Sequence, residues 1–265
     1  MTLAIQTAIV MVVLLVIMLA MGVSISISVG LSSAVAMLCM LPAQVSFVTS
    51  AQRLFAGANS FSLIAIPFFI LAGNLMNNGG IAERLVNVAK AIAGRMPGAL
   101  AQTNIIANML FGAISGSGAA AAAAMGGTIG PMEEKEGYDP VYSAAVNIAS
   151  APTGMLIPPS NLMIVYSTIA GSVSVAALFT AGYLPGILWG IIVMVIAGIT
   201  AKKKGYVIKE NVSGKQALKA ILDAIPSLLL IVIIIGGILG GVFTATEASA
   251  VAVAYAAILG LLYKG

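Results

Sequence analysis

An all-α polytopic membrane protein is the fold class that this 265-residue sequence predicts, and three observations carry it. Hydrophobic residues make up 60% of the chain and charged residues only 8%, at a mean hydropathy of +1.11. A water-facing surface needs about 25% charged residues, so this chain lacks the polar atoms to cover one. Several apolar runs approach the ~20 residues that cross a bilayer as a helix. The runs are continuous, not alternating as the strands of a membrane β-barrel would be.

The first span is Leu3–Met21. No Lys or Arg precedes Arg53, so this apolar run lacks the basic flank of a cleaved leader and reads as a true span. Ile27–Leu41 and Phe61–Met76 follow as spans. Ile81–Arg95 places Ile81, Leu85, Val88 and Ile92 on one helical face, with Glu83, Arg84, Asn87 and Lys90 elsewhere, and is expected to lie along the interface. Next comes "ALAQTNIIANMLFGAISGSGAAAAAAMGGTI", from Ala99 to Ile129. Its arms, Ala99–Ile114 and Ala119–Ile129, reach only ~24 and ~17 Å against an apolar core of ~30 Å. Two short helices joined by a Gly/Ser tip at Ser115–Gly118 predict a re-entrant hairpin. The alternative is one long helix, which two glycines and two serines weaken without forbidding.

A short helix over Pro140–Ala151 is interrupted by "PTGMLIPPSN", Pro152–Asn161, and resumes over Leu162–Ala170. Pro158 and Pro159 each lack an N–H, and each disfavours α geometry in the residue before it, so a broken helix is expected. Ile187–Thr200 closes a span that starts near Tyr183, a basic polar loop runs over Lys202–Lys219, and Ile225–Leu239 and Ala248–Leu262 are the last spans.

Charge sets the orientation. With Lys202–Lys219 in the cytoplasm and the hairpin entering and leaving from one side, Arg84, Lys90, Arg95, Lys135 and Lys264 are cytoplasmic too, and only Arg53 is outside. The N-terminus is then periplasmic. The stretch from Gly22, "GVSISISVGLSSAVAMLCML", is similar to "GVFTATEASAVAVAYAAILG" from Gly241. The two turns fall on opposite sides in this topology. This reads either as an inverted repeat of the kind secondary transporters use or as a chance likeness of two Ala/Val/Ser-rich spans.

The chemistry available is narrow. The chain has one cysteine, Cys39, and no histidine, which argues against disulfides, zinc, redox centres and His-based catalysis. An intramembrane enzyme would need clustered acids in the spans, and Glu247 is the sole candidate. The net charge of +4 sits in loops and is no nucleic-acid signal. Backbone groups freed by the two helix interruptions must face protein, water or an ion, because lipid cannot satisfy them. Ser115 and Ser117 at the tip, with Thr153, Ser160 and Asn161 at the break, predict an oxygen cage without a carboxylate, suited to a weakly bound monovalent cation. Small residues packing helices tightly is the alternative, and Ala119–Ala124 is assigned to that. Thr244-x-x-Glu247 matches a capping box, so Glu247 is read as a helix cap and not a proton carrier. Asn74 and Asn108 are assigned to interhelical hydrogen bonds, Asn147 is left open on the broken helix, and Tyr183 and Trp189 are read as interface anchors.

"ISGSGAAAAAAMGGTIGPM", "IPPSNLMIVYS", "LFTAGYLPG" and "GVFTATEASAVAVAYA", with the earlier "IAIPFFILAGNLM", resemble the large membrane subunit of tripartite ATP-independent periplasmic (TRAP) transporters, in the family's order and over nearly the whole chain. The resemblance implies an elevator-type secondary transporter with inverted repeats. It implies a scaffold with an interfacial helix over 1–97 and transport-domain elements over 98–171, namely a hairpin at 98–131 and a broken helix at 139–171. A span and cytoplasmic loop occupy 172–224, and a second repeat starts over 225–265, with its remainder expected to be missing from a truncated chain. By position, the sodium ligands are Ser115, Gly116, Ser117 and Gly118 of the tip with Thr153, Gly154, Pro158 and Ser160 of the break. Asn161 and Asn147 face substrate. The resemblance also implies sodium-coupled uptake of organic acids such as C4-dicarboxylates or sialic acid across the bacterial inner membrane, with a small membrane subunit and a periplasmic substrate-binding protein as partners and no cofactor other than the coupling ion. A stand-alone sodium–dicarboxylate symporter and an assembly-only fragment are the alternatives.

Overall fold

The computed structural model describes residues 3–171, 173–206 and 213–264, although nothing is described of the Lys264 side chain. Among these residues every regular element is helical. The chain separates into two units, residues 1–60 and 61–265. In the first, α1 (Leu3–Ala20) packs on α2 (Ile25–Leu38), and α2 packs on α3 (Ala43–Ala58). Reading by hydropathy missed α3. Its sequence "AQVSFVTSAQRLFAGA" is amphipathic with Gln and Arg in the middle, and no run of apolar residues announces it.

The second unit holds the two interruptions. A one-turn 3-10 helix at Phe61–Ile64 leads into α4 (Ala65–Asn78), followed by α5 (Ile81–Ala93), α6 (Ala99–Ser115), α7 (Gly118–Thr128) and α8 (Gly130–Lys135). Then come α9 (Pro140–Ser150), the single turn α10 (Thr153–Leu156), α11 (Asn161–Ala170), α12 (Val175–Lys204), α13 (Gly214–Leu239) and α14 (Ala245–Lys264). Among the described residues, five helices are long and apolar enough to cross a membrane: Leu3–Ala20, Phe61–Asn78, Val175–Lys204, Gly214–Leu239 and Ala245–Tyr263.

Three elements differ from the sequence reading, each for a physical reason. α12 begins at Val175, well before Tyr183, because Pro185 sits inside a continuous helix. The glycines around that proline form a stripe, Gly182, Gly186 and Gly190, spaced four apart. A Cβ on each would lie 2.4 Å from the Leu156 carbonyl, 2.7 Å from Ile157 Cγ1 and 2.5 Å from Met109 Sδ respectively. These glycines are absent of side chains so that α12 can press against the helix break and α6. The basic loop is shorter than Lys202–Lys219: Lys202–Lys204 end α12, and Lys215 and Lys219 belong to α13. Residues 207–212 of that loop lie outside the described residues. A Ser213/Gln216 capping box starts α13 ahead of the apolar run, so its basic first turns read as loop although they are helix. Finally, α5 buries Ile81, Leu85 and Val88 together with Ala82, Val86, Ala89 and Ala93, while Ile92 is 56% exposed. It packs on α6 and α13 as well as carrying a polar face.

α4 and α14 are neighbours that run parallel. At their N-terminal ends Thr246 Oγ1 donates to the Phe61 carbonyl at 3.0 Å. At the other ends a Cβ on Gly79 would lie 2.9 Å from Gly260 Cα. Near the start of α9, Lys204 Nζ reaches Asp139 Oδ2 at 2.6 Å, and that ammonium holds the exposed Asp139 carboxyl below its usual range. The Tyr206 hydroxyl accepts from the Asp139 N–H at 2.9 Å. Further along, Trp189 Nε1 donates to the Ala149 carbonyl at 2.9 Å. That carbonyl belongs to the last turn of α9, where the helix ladder offers no partner. The indole read from sequence as an interface anchor therefore also ties α12 to α9.

Candidate functional site

α6 ends where Gly116 takes a left-handed conformation, φ 63°, with its N–H bonded to the Gly112 carbonyl at 2.9 Å. Only glycine adopts this without strain. A Cβ there would in addition lie 3.0 Å from the Pro159 carbonyl oxygen. Ser117 then caps α7, its Oγ accepting from the Ala120 N–H at 3.3 Å. In the same way Ser160 caps α11, accepting from the Met163 N–H at 3.4 Å and donating to the Met155 carbonyl. Both interruptions thus use a serine N-cap to restart a helix. The halves flanking the break, Pro140–Leu156 and Asn161–Ala170, are bent by 47°.

The two interruptions touch. The Asn161 N–H donates to the Gly116 carbonyl at 3.2 Å, and Asn161 Nδ2 reaches the Ser115 carbonyl at 3.5 Å. α6 also packs on α7. Behind the tip, a Cβ on Gly112 would lie 2.1 Å from Gly154 Cα, so α6 and the α10 turn meet backbone to backbone. Gly118 is also close-packed, with Ala151 O 2.7 Å from a Cβ there. The tip and break residues Ser115, Gly116, Gly118, Thr153, Gly154, Pro158 and Ser160 are all buried, and Ser117 is half-buried. Thr153 Oγ1 donates to the Ser150 carbonyl at 2.6 Å. Ser115 Oγ makes only long contacts, 3.4 Å, to the Ser117 N–H and carbonyl. Hydroxyls that donate inward keep oxygen lone pairs free. The C-terminal end of α6 adds partial negative charge, and the N-terminal ends of α7 and α11 add N–H groups close by.

Asn161 therefore lies at the tip–break contact, with its Oδ1 buried and without a hydrogen-bond partner. Asn147 lies apart from it in a buried amide cluster. Asn108 Nδ2 donates to Asn104 Oδ1 at 2.7 Å, Asn147 Oδ1 at 3.0 Å and Ser150 Oγ at 2.9 Å, and Asn147 Nδ2 donates to the Ala122 carbonyl at 2.9 Å. Asn108 is thus an interhelical hydrogen-bonder as expected, and the cluster clamps α6, α7 and α9 together. Asn74 is exposed.

Sequence reading missed the Gly112–Gly154 contact and the buried acid Glu133. Burial pushes the Glu133 carboxyl up to about 7. Ser143 is close enough to oppose this, though outside hydrogen-bonding geometry, and the charge of Glu136 adds to it.

Glu247, the acid that composition made tempting, is a cap. The Thr244 N–H and Oγ1 both donate to Glu247 Oε2 at 2.8 Å, and the Glu247 N–H donates back to Thr244 Oγ1 at 3.3 Å. Gln keeps a side-chain carbonyl able to accept, so Glu247→Gln is expected to keep the cap and leave the melting temperature near that of the unaltered chain. Thr244→Ala is expected to cost ~0.5–2 kcal/mol, read as a lower melting temperature. A Glu247→Gln protein that melts well below Thr244→Ala would overturn this assignment.

Over residues 12–265 the chain matches the family described as tripartite ATP-independent periplasmic transporter, DctM component. It is 55% identical over 234 residues to YgiK of Salmonella typhimurium, covering 88% of this chain and 54% of that protein. It is 43% identical to the C4-dicarboxylate TRAP transporter large permease protein DctM of Vibrio cholerae, covering 85% of this chain and 49% of that one. To the sialic acid TRAP transporter large permease protein SiaM of the same organism it is 41% identical, covering 80% and 49%. The chain spans about half the length of the curated relatives it matches.

Proposed function

Because the chain belongs to the DctM-component family of tripartite ATP-independent periplasmic transporters, which are permeases and not enzymes, we propose that it serves in a sodium-coupled importer of organic acids. C4-dicarboxylates and sialic acid are the substrate classes that the names of its relatives suggest. Its partners would be a small membrane subunit and a periplasmic substrate-binding protein, and its place the bacterial inner membrane. The observation that carries this reading is the Asn161 N–H to Gly116 carbonyl bond, which joins a buried hairpin tip to a buried helix break. Ser115, Ser117, Thr153 and Ser160 supply oxygens there for a monovalent cation, with the carbonyls of Gly116, Gly118, Gly154 and Pro158. Asn161 offers its amide toward substrate. Asn147, part of the clamp, supports the site from behind. Residues 98–171 form the part that moves in an elevator cycle, against a scaffold that includes 1–97.

The energy available fits: one elementary charge moving down 100 mV yields ~2.3 kcal/mol, before any concentration gradient. The direct test is uptake by the intact transport complex in proteoliposomes. Uptake of a C4-dicarboxylate or sialic acid driven by an inward sodium gradient, and lost when choline replaces sodium, is expected. Uptake indifferent to sodium overturns the coupling.

The hairpin is re-entrant in this proposal, and the parallel pairing of α4 and α14 supports it. Two spans that run in the same direction require an odd number of crossings between them. The broken helix, α12 and α13 provide three, provided the hairpin begins and ends on one side. Single cysteines in a Cys39→Ala background, Arg95→Cys and Lys135→Cys, are both expected to react with a membrane-impermeant thiol reagent from the cytoplasmic face. Reaction from opposite faces means that α6 and α7 cross as one span. The N-terminus is periplasmic in the same topology.

A further inference from the structure

We propose that the cavity between α6, α7, α8 and α9 is a binding site for a small monovalent cation, with Glu133 as its buried anionic ligand. This site is separate from the tip and break, and it does not depend on how those are read. The cavity measures about 330 Å³ and is lined by Asn104, Gly126, Glu133, Glu134, Ser143 and Asn147 among others. Glu133 is fully buried, and neither carboxylate oxygen has a hydrogen-bond partner. Ser143 Oγ and Asn104 Nδ2, on the same walls, also lack partners. No Lys or Arg lines the cavity among the described residues.

An unpaired buried carboxylate is too costly to persist, so it binds a cation or a proton. Three features favour a cation. The unpartnered hydroxyl of Ser143 lines the same cavity as the carboxylate, and carboxylate and hydroxyl oxygens are the donors a hard cation takes. Exposed Glu134 at the rim adds negative charge that draws cations in. The volume leaves room for several waters, at ~30 Å³ each, to complete the coordination shell, and Asn104 Nδ2 is a donor for one of them. A single buried carboxylate balances one positive charge, so the site suits a monovalent ion better than Ca²⁺ or Mg²⁺, which gather more carboxylates or keep most of their water. Because α7 and α9 also carry the tip and the break, an ion here would brace the base of both.

The test uses the purified chain in nanodiscs, with choline holding ionic strength constant. Dicyclohexylcarbodiimide, which modifies buried carboxyls, is added, and its adduct on Glu133 is followed by mass spectrometry. Sodium, lithium or potassium is expected to slow adduct formation, about tenfold when the protecting ion is at about ten times its dissociation constant. Equilibrium binding of radioactive sodium is expected to lose one equivalent in Glu133→Gln and to keep it in Glu133→Asp. Ser115→Ala is expected to leave protection at Glu133 intact. Unchanged sodium stoichiometry in a folded Glu133→Gln protein overturns the proposal, as does protection by magnesium or calcium alone. Adduct formation that no monovalent ion slows assigns the cavity to a proton instead.

Discussion

Gly112→Ala is expected to lower the melting temperature more than any other single methyl addition between Ala99 and Thr128, and to abolish the proposed sodium-driven uptake in the intact complex. The new Cβ would sit 2.1 Å from Gly154 Cα and 3.0 Å from Gly154 N, both backbone atoms. A backbone cannot rotate aside as a side chain can. Ordinary carbon contacts need ~3.5–4.0 Å, so α6 and α10 must part by about 1.5 Å. The tip–break bond at 3.2 Å is already near the outer limit for N–H···O, and that shift breaks it. Overpacking of this kind costs ~1–3 kcal/mol, and a backbone clash belongs at the upper end. Gly154→Ala is expected to be milder, because its Cβ would lie 2.8 Å from Gly112 Cα and 3.6 Å from Ala121 Cβ. Gly127→Ala, with nothing within 4 Å, is the control. Helix propensity should make it neutral or stabilising by up to ~1 kcal/mol. Thermal melts and uptake assays ranking the three otherwise would refute the backbone contact.

For the sodium-coupled uptake proposed above, Ser115→Ala is expected to raise the sodium concentration for half-maximal uptake five- to hundredfold, from the ~1–3 kcal/mol lost with a buried polar ligand. Ser115 separates ion binding from folding better than Ser117 does. The Ser117 hydroxyl caps α7, so Ser117→Ala removes a cap worth ~0.5–2 kcal/mol together with any ligand. Ser115 makes only 3.4 Å contacts, and alanine keeps its Cβ, so its melting temperature should scarcely move. A sodium titration unchanged in Ser115→Ala, at normal expression, removes Ser115 from the cage.

What could be read in the sequence were the features written in local chemistry. Gly and Ser between α6 and α7, paired prolines at a break, and a Thr-x-x-Glu cap each act within a few residues, and each interrupts or caps a helix where expected. The illegible features need two distant segments at once. Gly112 is one glycine in an apolar helix until Gly154 arrives against it. Gly182, Gly186 and Gly190 lie on one helix, but the Leu156, Ile157 and Met109 atoms they make room for come from other segments. Glu133 lies in "GPMEEKEGY", a stretch that reads as solvated loop, and only the fold of α6, α7 and α9 over it makes it buried.

The bond from Trp189 to the Ala149 carbonyl has one more consequence. This is the only tryptophan in the sequence, so the emission of the unlabelled protein comes chiefly from an indole whose N–H is held by the last turn of α9. A hydrogen-bonded indole emits to the red of a free one in apolar surroundings. Displacement of the broken helix against α12 would therefore change the colour of the protein's own fluorescence, and rapid mixing could follow that movement in real time without attaching a dye.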